Sequence, residues 1–174
     1  MKIKVTDFET SIKDQFTVDH VIGLFDPIER DWCESNLNFR NRTMFWFNDT
    51  TEGTHAPKRI QIRNIVRKVK ELGLLDKNII VHCRAGIGRS TATAMALLIM
   101  SGKTIDEAIS EIATQRPFMW PNELVAKHFD DELGLNGEFL KAVLAWKKAA
   151  TGDDIGSKKL WIKQHDGTWQ REDV

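Results

Sequence analysis

Cys83 and Arg89 bracket a short glycine-containing stretch, Cys83-Arg84-Ala85-Gly86-Ile87-Gly88-Arg89, with His82 before it and Ser90 after it. A thiol and a guanidinium at this spacing are suited to holding and attacking a tetrahedral anion. Gly86 and Gly88 allow the backbone amides of residues 84 to 89 to turn inward as a nest, and a helix beginning near Arg89 would add its positive end. Arg89 can fork two hydrogen bonds onto phosphate oxygens, where a lysine would supply only a point charge. Cys83 would share the same field. A free thiol titrates near ~8.5, and a helix N-terminus with a neighbouring cation favours the thiolate, the nucleophilic form. The Ser90 hydroxyl, next after Arg89, is a candidate donor to that sulfur. No Gly-Lys-Ser/Thr follows the glycines, so the stretch is not a Walker A nucleotide loop.

The flanking residues must fix this loop. Ile79-Ile80-Val81 is short and β-branched and follows the turn-like Asp76-Lys77-Asn78, which predicts a buried strand. Thr91 to Gly102, with Ala92, Ala94, Met95, Leu97, Leu98 and Met100, predicts a buried helix stopped by glycine. Strand, loop and helix N-terminus therefore follow one another, with the cysteine at the start of the loop and the arginine at its end.

His82-Cys83-x5-Arg89-Ser90, with both glycines in place, resembles the signature of the cysteine-dependent protein tyrosine and dual-specificity phosphatases. The resemblance implies hydrolysis of phosphomonoesters through a phosphocysteine, without a cofactor or metal. It also implies a general acid some thirty residues before the cysteine, on a loop after a strand. Asp49 lies 34 positions before Cys83, directly after the aromatic run Met44 to Phe47; Glu52 is its nearest rival. By the same resemblance His82 tunes the cysteine through hydrogen bonds without acting as a base. Arg116 to Asn122 is similar to the Arg-x-x-x-Pro-Asn stretch of dual-specificity phosphatases, with one additional residue before the proline. Asn122 is also a natural cap for the following helix. Phe118 and Trp120 read either as the mouth of a pocket or as core plugs.

The rest of the chain sets bounds. Its 174 residues suit one domain of about residues 1–150 with a tail over 151–174. Formal net charge is zero, from 25 basic and 25 acidic residues, so neither a general nucleic-acid binder nor an acidic tail is indicated. The two cysteines, Cys33 and Cys83, suggest a reducing compartment. The first residues lack a signal-peptide core and no apolar run nears the ~20 residues of a membrane span, so a soluble cytoplasmic protein is expected. The histidines have no ligand spacing, and no metal site is assigned.

In chain order, residues 2 to 8 read as an edge strand, His20 to Phe25 as an interior strand and Thr43 to Phe47 as a third. Ser11 to Thr17 is a helical turn or a loop, and Ile28 to Asn41 is irregular with a helical turn. Pro57 opens a helix whose Ile62, Ile65, Val66, Val69 and Leu72 face inward, opposite a basic face that is solvated or docks acidic partners. Thr104 and Glu107 form a capping box for a helix to about Thr114. A further helix carries Leu124, Val125, Phe129 and Leu133, and Phe139 to Ala149 forms the last, with Leu140, Val143, Leu144 and Trp146 inward. Thr151 to Ser157 reads as a linker, and Asp166-Gly167 marks a β-hairpin turn. Strands first and helices later argue for an α/β fold; with the resemblance, this becomes a mostly parallel sheet of four to five strands flanked by helices.

The chain has no tyrosine, so the ring-holding tyrosine of classical tyrosine-specific members is missing, which favours the shallower dual-specificity type. The expected partner is a phosphorylated protein. Alternatives are a phosphoinositide, an RNA 5′ end, a phosphate-binding pseudoenzyme, or redox sensing through Cys83 and Cys33.

Overall fold

The structure, a computed structural model, describes residues 1–37, 41–151, 159–163 and 169–173. Its centre is a four-stranded sheet of β1 (Lys2–Thr6), β2 (His20–Phe25), β3 (Arg42–Trp46) and β4 (Asn78–His82), in the order β1-β4-β2-β3. Every pairing is parallel. A parallel sheet is covered on both faces, and all six residues of β2 are accordingly buried.

Alternation along the strands separates two cores. Ile3, Val5, Ile22, Leu24, Ile79 and Val81 face the larger one. It is built with α3 (Arg59–Glu71), α4 (Arg89–Met100), α5 (Ile105–Gln115), α6 (Glu123–Leu133) and α7 (Glu138–Thr151). Phe25, Met44 and Trp46 face the smaller one, with Phe8 and Ile12 from α1 (Phe8–Asp14), Cys33 from α2 (Arg30–Asn36) and Leu37 directly after it. α4 is buried from Arg89 to Leu98, as its run of small and apolar residues predicts. No helix among the described residues is long and apolar enough to cross a membrane.

Several expectations shift. β1 ends at Thr6 because Asp7 caps α1, its Oδ1 accepting from the Thr10 amide at 2.9 Å. The segment left open between helix and loop is α1 followed by a 3₁₀ turn over Gln15–Thr17. The charged stretch read as irregular holds the two-turn α2. Pro57 does not open α3: the helix starts at Arg59, and the Gln61 side chain returns to the Lys58 amide at 2.8 Å. Leu72 and Leu144 are exposed at 41 % and 42 %, because Leu72 lies past the end of α3 and Phe139 and Val143 fill the inward face of α7. Asp130 has an unforeseen role. It is buried at the end of α6 and accepts from the amides of Gly137 and Leu140 at 2.6 and 2.9 Å, which fixes the entry to α7.

β5 (Lys159–Lys163) and β6 (Trp169–Asp173) pair antiparallel, Lys159 opposite Asp173 and Lys163 opposite Trp169. The expected Asp166-Gly167 turn and the linker from Gly152 to Ser157 lie outside the described residues.

The sheet order positions the site. β4 lies between β1 and β2, with its carboxyl end open to the loops that follow all four strands, the usual place for a ligand in an open α/β sheet.

Candidate active site

Cys83 follows β4 and is 2 % exposed. Its Sγ receives the Gly86 amide at 3.3 Å and lies 3.2 Å from the Ser90 Oγ. Gly86 has φ 71°, a conformation that favours glycine, and this turns its amide onto the sulfur. A backbone donor and a hydroxyl around one sulfur can hold it as an anion.

The carbonyls of the loop all bond outward. Arg84 O accepts from the Phe8 amide at 3.2 Å, Ile87 O from the Trp120 amide at 3.0 Å and Gly88 O from the Asn122 amide at 3.2 Å. Ala85 O and Gly86 O accept from the Arg116 Nη2 and Nε at 2.8 and 3.0 Å. With five consecutive carbonyls turned away, the amides are left facing the concave side. The extra residue before the proline in 116–122 does not displace Arg116. It braces the loop, and its guanidinium lies 4.7 Å from the Phe118 ring centroid. Neither Phe118 nor Trp120 plugs the core; Met119, 1 % exposed, does so. Trp120 is 45 % exposed, with Lys147 Nζ 4.4 Å from its ring centroid.

Arg89 begins α4 with its side chain buried. Nη1 donates to Phe47 O at 2.6 Å and to Asp26 Oδ1 at 2.8 Å. Nε is buried without a hydrogen-bond partner, 3.8 Å from Asp49 Oδ2. Nη1 is thus anchored by protein, while Nε, ion-paired with Asp49, has no hydrogen bond among the described residues. Asp26, at the end of β2, was not identified from sequence. Its only signal is an acidic residue beside Pro27 at the carboxyl end of a strand that neighbours β4.

Asp49 lies against the same loop. Its Oδ2 accepts from the Arg89 amide at 3.4 Å and its Oδ1 from the Asn122 Nδ2 at 2.9 Å. A Cβ on Gly88 would collide with this carboxylate, so glycine is what lets Asp49 approach. Asn122 has two functions: its Oδ1 accepts from the amides of Leu124 and Val125 at 3.1 and 3.0 Å, capping α6 as expected, while its Nδ2 restrains Asp49. Glu52 is exposed and makes no hydrogen bond to the loop 83–89 among the described residues.

His82 is fully buried on the α1 side of the sheet, with the rings of Phe8 and Phe25 at 5.8 and 5.2 Å. Burial, assisted by the Arg42 cation, pushes its pKa down to about 3. The ring is therefore neutral, its Nε2 accepts from Arg42 Nη1 at 2.8 Å, and the proton belongs on Nδ1, 3.4 Å from Cys83 O. Arg42 was missed from sequence, although a charged residue opening a buried parallel strand is itself a signal. Arg84, exposed, is ion-paired with Glu29 at 3.0 Å, and Ala85 and Ile87 complete the loop with half-buried side chains. Cys33 is a free thiol in the smaller core, pushed up to about 11 by burial and by the Glu29 charge.

The structure thus brings together Cys83, Arg89, Asp49, Ser90, His82 and Asn122, sets Arg116 behind the loop, and adds Asp26 and Arg42. A family model described as dual specificity phosphatase, catalytic domain, matches residues 4–129. Among solved structures, Cydia pomonella PTP-2 phosphatase is similar at 16 % identity and TM-score 0.54, over 100 % of this chain and 95 % of that one. DUSP15 matches at 18 % identity and TM-score 0.53 over 87 % and 94 %. PTPMT1 in complex with PI(5)P matches at 18 % identity and TM-score 0.50 over 84 % and 95 %. No curated protein matches this chain.

Proposed function

We propose, since the chain belongs to the dual-specificity phosphatase catalytic-domain family, that this cysteine-based phosphatase hydrolyses phosphomonoesters on phosphoproteins through a phosphocysteine. Cys83 Sγ attacks phosphorus while the ester oxygen departs with a proton from Asp49. The amides of residues 84–89 and the Arg89 guanidinium hold the equatorial oxygens as charge redistributes. Water, deprotonated by Asp49, then attacks phosphorus, and Sγ leaves as thiolate with the Ser90 hydroxyl beside it.

The observation that carries this reading is the loop with five carbonyls bonded outward around a sulfur, beside a buried Arg89 whose Nε makes no hydrogen bond among the described residues and faces Asp49. A pure phosphate binder would not need Ser90 at the sulfur or a carboxylate held on the loop by Asn122. Two features favour a phosphoprotein over a phosphoinositide. Arg84, the one extra cation in the loop, is paired with Glu29, and further carboxylates, Asp7 and Glu9, lie close by. A multiply phosphorylated headgroup would meet repulsion there. The two free cysteines suit a reducing compartment, which supports a cytoplasmic setting. Residues 1–150 are assigned as the phosphatase unit and 151–174 as an appended tail.

The test is hydrolysis of p-nitrophenyl phosphate by the full chain and by Cys83→Ser. Wild type should release phosphate and Cys83→Ser should not, while still binding inorganic phosphate. Equal rates would overturn the mechanism.

A further inference from the structure

The catalytic steps use nothing on the α1 and α2 side of the loop, yet an open cleft of about 570 Å³ lies there. Arg84 and Ala85, the two residues that directly follow Cys83, line it, so the cleft opens beside the loop 83–89.

Its chemistry is mixed. Phe8 and Trp32 supply aromatic surface, with their rings edge to face and centroids 6.3 Å apart. Phe8 is fixed by further ring contacts with Phe25 and His82, whereas Trp32 is 55 % exposed and offers its indole to a ligand. Asp7, Glu9 and Glu29 supply negative charge, and Arg84 is the one cation in the lining. Glu29 already pairs with Arg84 through Oε1 and accepts the Asp26 amide at 3.0 Å through Oε2. The Glu9 carboxylate is exposed and makes no hydrogen bond or ion pair among the described residues. Burial opposes ionisation of Asp7, but the Thr10 amide and hydroxyl hold its carboxyl below the usual range. The cleft is thus an aromatic surface with an excess of negative charge, opening beside a loop made for an anion.

Resting on the reading of the chain as a phosphoprotein phosphatase, we propose that this cleft receives a lysine or arginine side chain flanking the phosphorylated residue. The aliphatic stem lies along Phe8 and Trp32, and the cation meets the indole face and the Glu9 and Asp7 carboxylates. The same carboxylates reject acidic flanks, so selectivity comes from repulsion as well as attraction. The phosphate and its neighbour are read by adjoining surfaces of opposite charge.

The experiment measures kcat/KM of the full chain on matched phosphotyrosine and phosphothreonine peptides that differ only in carrying Lys, Ala or Glu beside the phosphorylated residue. Trp32→Ala and Glu9→Lys are measured in parallel, each normalised to its own rate on p-nitrophenyl phosphate. Wild type should prefer the Lys peptide over the Glu peptide by about tenfold, with Ala between. Trp32→Ala should remove most of the preference, and Glu9→Lys should abolish or invert it. Hydrolysis of p-nitrophenyl phosphate with the three peptides treated alike, with the Glu peptide preferred, or with no peptide hydrolysed would overturn the cleft's assignment. So would a preference that survives both substitutions, or faster turnover of a phosphoinositide in vesicles than of every peptide. Failure to hydrolyse p-nitrophenyl phosphate would overturn the phosphatase reading itself, which separates the two failures.

Discussion

In the loop 83–89 the groups that can face a phosphate are backbone amides and one buried guanidinium, each oriented by bonds made behind it. In the cleft beside it the corresponding groups are exposed side chains, Trp32 and Glu9 above all, that make no hydrogen bond to the loop among the described residues. The first construction is rigid, because moving one amide means breaking a bond to Phe8, Arg116, Trp120 or Asn122. The second is adjustable, because a side chain can change there without touching the loop. Rigid backbone suits a transition state common to all phosphomonoesters, and adjustable side chains suit the choice among their carriers.

This contrast orders the expected effects. Cys83→Ser should lower turnover of p-nitrophenyl phosphate by at least ~10⁴-fold, measured by phosphate release. A smaller loss would mean that the loop can act without its sulfur. Asp49→Asn should lower kcat by about 10²–10⁴-fold with little change in affinity for inorganic phosphate. A rise in KM alone would instead make Asp49 a binding residue. Arg116→Met should lower kcat/KM by roughly 10–10²-fold by releasing the Ala85 and Gly86 carbonyls, although Arg116 lies behind the loop. If that variant matched wild type, the rigidity argument would be broken. The smallest catalytic effects belong to the cleft, where substitutions should alter choice among peptides.

A stability measurement tests the support beneath the loop. In the unfolded chain a histidine titrates near 6.5, whereas His82 in the fold stays neutral down to about 3. Between these values the unfolded chain holds the additional proton, so the contribution of His82 to unfolding free energy is level above about pH 6.5 and falls as pH drops towards 3. The full change is on the order of a few kcal/mol. Urea unfolding at a series of pH values should show this slope, and His82→Gln should reduce it, leaving the smaller share of His20 and His128, which burial also holds below the ordinary value.

The loop and its flanking strand and helix were legible in sequence because their chemistry is local. Gly86, Gly88, Arg89 and Ser90 stand at fixed offsets from Cys83, and Ile79 to Val81 and Ala92 to Leu98 announce burial. The family resemblance added Asp49, which lies against the loop. Asp26 and Arg42 were illegible as partners because they meet the loop only through the parallel register of the sheet, which sequence spacing does not encode; Arg116 was named by the resemblance, but its bonds to the Ala85 and Gly86 carbonyls depend on the path of 116–122. α1 and α2 were underread for a related reason: they are short, and each buries few residues against the smaller core. The Leu72 and Leu144 errors came from extending helical periodicity onto positions that neighbouring elements do not cover.

The most direct test of the central claim is a rapid-quench trapping experiment with a radiolabelled phosphomonoester, in which the protein is denatured within a single turnover and the labelled residue is mapped. The expected result is one phosphoryl group on Cys83 in the wild-type protein and none in Cys83→Ser. Phosphate release with no labelled enzyme, or label on another residue, would contradict the phosphocysteine route.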